Sequence, residues 1–205
     1  MTSSAQDPFY VLRHSRSVHR KKAMLLGAKT LPPTQACRLF RLALTDPNDE
    51  IRLIGVSQLK RVEHELNTKL YTAKSRFTHA SAAQRAAIAL TIAQLYFDFL
   101  YLHIADPALR SHYLSEANRY CAFALEGNLP EAALLAARIA LMADEPKTAN
   151  QFLSRIGQNT LPLFHVMPYL AETAFAQGEY ALIKPSLHLA SARSRSLNRV
   201  QRFWQ

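Results

Sequence analysis

Glycine is scarce in this chain of 205 residues, which contains only five. Runs of β-branched residues that alternate with polar residues are also missing, so the sequence offers no pattern typical of a strand. Alanine and leucine are abundant, which favours helix. Gly127, Gly157 and Gly178 each follow a segment with helical apolar spacing, as capping glycines do. The sequence therefore predicts an all-α fold.

Cysteine and long apolar runs are also in short supply. The two cysteines, Cys37 and Cys121, lie far apart in apolar helical contexts, and we expect two reduced core thiols rather than a disulfide framework. The apolar stretch Ala86–Phe97 is too short to span a bilayer, which takes about 20 consecutive apolar residues. Residues 1–22 are polar and basic, unlike a secretory signal. We therefore expect a cytoplasmic protein.

Catalytic motifs are missing from the sequence as well. It contains no glycine-rich phosphate loop, no Gly-x-Ser-x-Gly elbow and no His-Glu-x-x-His pair. His103, Asp106 and His112 surround one predicted turn without a known ligand spacing, and we interpret them as surface residues. The alternative is an enzyme whose site uses His103, His112 and nearby acids. We predict a protein without catalytic activity, metal or cofactor.

The strongest pattern that is present is an internal repeat with a period of about 34 residues, the length of a tetratricopeptide repeat. Ala137, Ala149 and Leu153 recur as Ala171, Ile183 and Leu187. In such repeats, paired helices stack because one pair cannot bury its apolar face alone. The sequence predicts a right-handed helical-repeat solenoid. Its three tetratricopeptide-like pairs are predicted at 82–104 with 111–126, 130–143 with 146–156, and 167–176 with 179–191.

An acidic turn precedes these repeats and indicates a HEAT-like helix pair. Pro47 fixes the turn, and Asn48 or Asp49 can cap the long helix that follows. We predict that Arg52 pairs with Asp46 or Asp49 across this turn. The predicted organisation is a flexible basic arm at 1–17, HEAT-like helices at 18–80, tetratricopeptide-like repeats at 81–191, and a basic tail or capping helix at 192–205.

Functional side chains are expected on the first helix of each repeat, which lines the concave groove of a tetratricopeptide array. A mixture of apolar and charged groups there suits a segment of another protein, although the C-terminal tail is an alternative occupant. The aromatic residues Tyr96, Phe97, Phe99 and Tyr101 are interpreted as core rather than as a stacking platform. The predicted groove residues are Glu131, Leu134, Arg138, Leu141, Met142, His165, Glu172 and Phe175.

Positive charge is concentrated at the two ends of the chain. The net charge is +10, of which residues 1–30 carry +5 and residues 190–205 carry +4. Basic ends beside a near-neutral body favour contact with an anionic membrane or acidic partner; solvated tails and nucleic-acid binding are the alternatives. The predicted contact residues are Arg13, Arg16, Arg20, Lys21, Lys22, Arg199, Arg202 and Trp204.

Three segments follow one another in the chain: Asp46-Pro47-x-Asp49-x-Ile51-Arg52-Leu53, Leu95-Tyr96-Phe97-Asp98-Phe99-Leu100-Tyr101, and Tyr113-Leu114-x-x-Ala117-x-x-Tyr120-x-x-x-Ala124-Leu125. In these segments and their order, the chain resembles the cytosolic repeat part of the PelE family of Gram-negative Pel exopolysaccharide machinery, over about residues 30–190. The resemblance implies a scaffold at the cytoplasmic face of the inner membrane that binds a cyclic-di-GMP receptor, a glycosyltransferase and a membrane transport subunit.

Overall fold

The structure, a computed structural model, describes residues 7–156 and 161–186. Within these ranges the regular elements are all helical, which confirms the predicted all-α fold, and neighbouring helices pack in adjacent pairs. Short 3₁₀ turns cover Ala28–Thr30, Pro107–Leu109 and Tyr180–Leu182. The α-helices are α1 (Pro8–His14), α2 (Val18–Gly27), α3 (Pro33–Ala43), α4 (Asp49–Thr78), α5 (Ala82–Tyr101), α6 (Arg110–Glu126), α7 (Pro130–Met142), α8 (Pro146–Ser154) and α9 (Leu163–Ala176).

The chain divides into two compact units. Unit 1 contains Met1–Thr72 and Asp98–Arg110, and unit 2 contains Ala73–Phe97 and Ser111–Gln205. The divisions fall inside α4 and α5, so each of these helices contributes residues to both units.

Unit 1 has an apolar core in which α1, α2, α3 and the start of α4 take part. Leu12, Leu25, Phe40 and Ile51 are buried there. The structure corrects the prediction of a flexible arm at 1–17, because residues 8–14 form a helix that packs into this core. The Asp7 side chain accepts the Phe9 N–H and caps α1. Residues 1–6 of the predicted arm lie outside the described residues.

A close approach between α3 and α4 requires glycine at position 55. A Cβ atom at Gly55 would lie 2.8 Å from the Phe40 carbonyl oxygen and 3.0 Å from the Ala43 Cβ. Both distances are too short for ordinary packing, and the first involves backbone, which cannot rotate away as a side chain can. Gly55 therefore sets how closely the two helices of the predicted HEAT-like pair can approach.

Unit 2 buries the residues that define the repeat period. Ala137, Ala149 and Leu153 lie in the core of α7, α8 and α9. Ala171 and Ile183 are buried together in the next apolar cluster. The alanines among them let neighbouring helices approach closely. The sixth repeat position, Leu187, lies outside the described residues.

The turns that end α7 and α9 repeat the same backbone geometry. Asp144 and Gly178 lie one repeat period apart, and both have left-handed backbone angles, with φ of 63° and 76°. The residue after each donates its N–H to a carbonyl five positions back, at 2.9 Å for Glu145 to Ala140 and 2.8 Å for Glu179 to Ala174. These are the bonds of Schellman caps. The sequence period is therefore also a period of backbone hydrogen bonding.

The last helix pair differs from its predicted boundaries. Helix α9 begins at Leu163, before the predicted start at Met167, and Pro168 lies within it. Proline is common at helix starts, so a sequence pattern places the start near Pro168. The following segment begins as a 3₁₀ turn and is helical over residues 183–186. The rest of its predicted span, to Ser191, lies outside the described residues, as does the predicted tail at 192–205.

Candidate partner-binding face

Three side chains occupy the same position in α5, α7 and α9. Each lies six positions before the residue with left-handed backbone angles that follows its helix. The turn after α5 has the same Schellman hydrogen bond as the other two, from the Ile104 N–H to the Phe99 carbonyl oxygen at 2.9 Å. The step along the chain from α5 to α7 is longer than the step from α7 to α9, which equals the repeat period. The equivalent pairs are Phe97 with His103, Arg138 with Asp144, and Glu172 with Gly178.

Arg138 links the three helices through its guanidinium group. Its central carbon lies 4.3 Å from the ring centroid of Phe97 on α5 and 5.5 Å from that of Tyr169 on α9. Both distances are within the range of cation–π attraction. Phe97 is buried, whereas Arg138 and Tyr169 are half-buried. Arg138 therefore keeps part of its surface open while its position is fixed by two aromatic rings.

Glu172 gives this face a carboxyl group with altered acidity. Neighbouring atoms partly desolvate the carboxyl group, which raises the pKa of Glu172, and the positive charge of Arg138 opposes that rise. The residue as a whole is nevertheless exposed to solvent. The face thus places a fixed cation beside an accessible acid.

An exposed aromatic pair continues this face beyond Glu172. Phe175 is 47% exposed and Tyr180 is 64% exposed, and their ring centroids are 5.8 Å apart. Tyrosine and arginine are residue types enriched at binding hot spots. We call Arg138, Tyr169, Glu172, Phe175 and Tyr180 the Arg138 face.

The other predicted groove residues are not all on this face. Leu134 and Leu141 are half-buried and pack against the core of α7, α8 and α9, as Tyr169 also does, and their place in the groove stays a prediction. Met142 is half-buried, whereas Glu131 and His165 are exposed. The His165 ring lies 4.2 Å from that of its neighbour Phe164.

The acidic turn in unit 1 is held by charged side chains. Arg52 forms an ion pair with Asp49, one of its two predicted partners, and donates to the carbonyl oxygens of Asp46 and Pro47 at 2.8 and 3.0 Å. The Asp46 carboxylate instead binds the Lys21 ammonium at 2.5 Å, and both side chains are buried. This contradicts the predicted role of Lys21 in contacting a membrane or partner.

The remaining basic residues of the predicted contact set have different surroundings. Lys22 forms an ion pair with Glu50, and the Arg20 N–H is capped by the Ser17 hydroxyl. Arg13 and Arg16 are exposed. Arg199, Arg202 and Trp204 lie outside the described residues.

The groups considered for chemistry are structural or exposed. Tyr96, Phe97 and Phe99 are buried as predicted for core residues, whereas Tyr101 is 49% exposed. Both cysteines are buried and free, and burial raises their thiol pKa values, that of Cys121 to about 11. His103, Asp106 and His112 are exposed, and the described residues contain no group of three or more potential ligands placed to hold a metal ion.

Sequence reasoning missed Phe97, Tyr169 and Tyr180 as parts of this region. The repeat period does not extend back to α5, because α6 is longer than α8, its counterpart in the next repeat, and this shifts the register. Counting back from the residue that ends each helix would have aligned Phe97 with Arg138.

The fold defines the class of this chain, an all-α protein with helices in adjacent packed pairs. Comparison with known protein families, curated proteins and solved structures finds no match. Among the described residues, no helix combines the length and apolar character needed to cross a membrane.

Proposed function

We propose that this protein is a non-enzymatic scaffold whose Arg138 face binds segments of partner proteins. The observation that carries the proposal is the equivalence of Phe97, Arg138 and Glu172 on three successive first helices. In a tetratricopeptide-like solenoid, first helices line a continuous groove that binds extended or helical segments. The face combines an arginine held between rings, an exposed and partly desolvated acid, and exposed aromatic groups.

The proposed setting is the inner-membrane synthase complex for Pel exopolysaccharide. This part of the proposal rests on the resemblance of residues 30–190 to the PelE family. The partners would be a cyclic-di-GMP receptor, a glycosyltransferase and a membrane transport subunit at the cytoplasmic face of the membrane. A groove with both charged and apolar anchors suits the recognition of such protein segments.

The test is direct binding between purified components. The full chain is mixed with the cytosolic part of each proposed partner from the same genome, and complexes are measured by size-exclusion chromatography and calorimetry. We expect Glu172→Gln with Phe175→Ser to weaken one of these complexes by at least about tenfold, since hot-spot residues each contribute about 2 kcal/mol or more. Both residues are exposed, so the fold should be retained.

A matched control changes an acid and an aromatic residue elsewhere. Glu63→Gln with Tyr71→Ser alters two residues of α4 outside the Arg138 face and should leave binding within about twofold. Equal weakening by the two double variants, or no complex with any of the three partners, would contradict the proposal. Binding of oligonucleotides with a steep salt dependence would instead support the nucleic-acid alternative.

A further inference from the structure

Four of the N-terminal basic residues separate into two groups according to their partners. Lys21 and Lys22 are paired with Asp46 and Glu50. Arg13 and Arg16 are exposed, and no carboxylate among the described residues forms an ion pair with either. Arg13 in the last turn of α1 and Arg16 in the connection that follows it therefore keep positive charge that no described carboxylate pairs with.

Both arginines line one cavity in unit 1. It has a volume of about 490 Å³ and lies between the α1–α2 connection and the turn from α3 to α4. This volume is within the range of small-molecule sites. Leu12, Val18 and Leu42 provide apolar wall, whereas Arg13 and Arg16 provide charge.

The other polar groups of the cavity do not cancel this charge. Asp46 lies in the wall, but its carboxylate is occupied by Lys21 at 2.5 Å and by the Asn48 N–H at 3.0 Å. His14 and Ser15 add groups that form hydrogen bonds. The ion pair of Lys21 and Asp46 is close to neutral as a unit, so the two arginines give the cavity a net positive charge.

We propose that this cavity binds a phosphate group carried by a small molecule or by a lipid headgroup. Arginine is suited to phosphate because its planar guanidinium donates two parallel hydrogen bonds to phosphate oxygens. The apolar wall suits the uncharged part of the same ligand. The inference is independent of the Arg138 face, because none of its residues lines the cavity.

The first experiment titrates the full chain with inorganic phosphate at constant ionic strength, with chloride as the reference anion. Binding is followed by NMR shifts of residues 13–18. We expect saturable binding that Arg13→Gln with Arg16→Gln weakens by about tenfold or more, since charge-assisted hydrogen bonds are lost. Arg13→Lys with Arg16→Lys keeps the charge and should give an intermediate loss.

The matched control removes the same charge from other exposed sites. Lys29→Gln with Lys69→Gln should leave phosphate affinity within about twofold, because neither lysine lines the cavity. Circular dichroism verifies that each variant keeps its helix content. Equal phosphate affinity of the two glutamine double variants would rule out a site for free phosphate.

A second arm identifies the source of the phosphate. The same variants are sedimented with phosphatidylcholine vesicles that contain or lack phosphatidylglycerol. A larger loss of phosphatidylglycerol-dependent binding for the arginine variant than for the lysine control indicates a lipid headgroup. Discrimination with inorganic phosphate but not with vesicles indicates a soluble phosphorylated molecule. If the arginine variant and the lysine control behave alike in both arms, the proposal is wrong.

Discussion

The turn between α3 and α4 in unit 1 and the turns after α7 and α9 in unit 2 are stabilised in different ways. The first turn depends on charged side chains, with Asp46 bound to Lys21 and Arg52 bound to Asp49. The turns of unit 2 depend on backbone hydrogen bonds, such as the bond from Glu145 to Ala140. The backbone hydrogen bond recurs because it needs only a residue that tolerates left-handed backbone angles, whereas an ion pair needs two specific side chains.

The same contrast holds for helix packing beside these turns. In unit 1 the approach of α3 and α4 depends on one glycine, Gly55. In unit 2, α7 and α8 approach through alanines, including Ala137 and Ala149, both fully buried. An alanine that recurs at a fixed spacing can be detected as a period in the sequence, whereas a single glycine or a single ion pair cannot. Substitutions at these positions test whether the two units also differ in how much these residues contribute to the free energy of unfolding.

Lys21→Ala should have the largest effect, a loss of about 3–5 kcal/mol of unfolding free energy, because it removes one member of a buried ion pair and leaves the Asp46 carboxylate without its cation. The measurement is urea unfolding followed by circular dichroism. Lys22→Ala is the control, since its pair with Glu50 is more exposed and should contribute about 0–1 kcal/mol. Equal losses from the two variants would show that burial of the first pair is unimportant.

Gly55→Ala should destabilise the protein by about 1–2 kcal/mol, because the added methyl group meets the Phe40 carbonyl and this overpacking exceeds the helix propensity gained from alanine. Gly27→Ala is the matched control, because no atom lies within 4 Å of its Cβ position. We expect Gly27→Ala to be neutral or slightly stabilising. If thermal unfolding shifted equally for both variants, the close approach would not limit packing.

The two left-handed turn residues should respond in opposite directions. Asp144→Gly should stabilise the chain by about 0.5–1 kcal/mol, because glycine adopts a positive φ without steric cost. Gly178→Ala should destabilise it by about 1 kcal/mol, because alanine is strained at φ 76°. The comparison is made by denaturant unfolding of both variants. A change of the same sign at both positions would contradict the equivalence of the two turns.

Arg52→Ala should have the smallest effect, a loss of about 0–1 kcal/mol, because its pair with Asp49 is exposed. Its hydrogen bond to the Asp46 carbonyl nevertheless supports the turn. Arg61→Ala is a suitable control, because Arg61 forms an exposed helical pair with Glu65 in the middle of α4. The difference between the two unfolding midpoints measures the stabilisation that Arg52 gives to the turn beyond that of an ordinary exposed pair. Identical midpoints would show that Arg52 does not stabilise the turn.

The sequence period could predict most of the α7, α8 and α9 core, because Ala137, Ala149 and Leu153 recur where neighbouring helices touch. It could not predict the packing of α1, because so short a helix carries too few turns for a periodic pattern. Nor could it predict the burial of Lys21, whose partner Asp46 is distant in the sequence and is brought close only by folding.

The candidate site was predicted only in part, because the repeat period covers only some of its residues. Arg138, Glu172 and Phe175 follow from the repeat register alone. The equivalence of Phe97 is hidden in the sequence because the long helix α6 lengthens the spacing from α5 to α7 beyond the repeat period. Leu134 and Leu141 were assigned to the groove because they share its helix, and they are half-buried against the α7, α8 and α9 core.

Site-specific photo-crosslinking in cells tests the central proposal, partner binding by the Arg138 face, most directly. A photoreactive amino acid replaces exposed Glu172, or exposed Tyr71 as the control position. We expect position 172 to crosslink to a subunit of the proposed exopolysaccharide synthase complex, identified by mass spectrometry, and position 71 to give no such product. Crosslinks to that subunit from position 71 but not from position 172 would contradict the account.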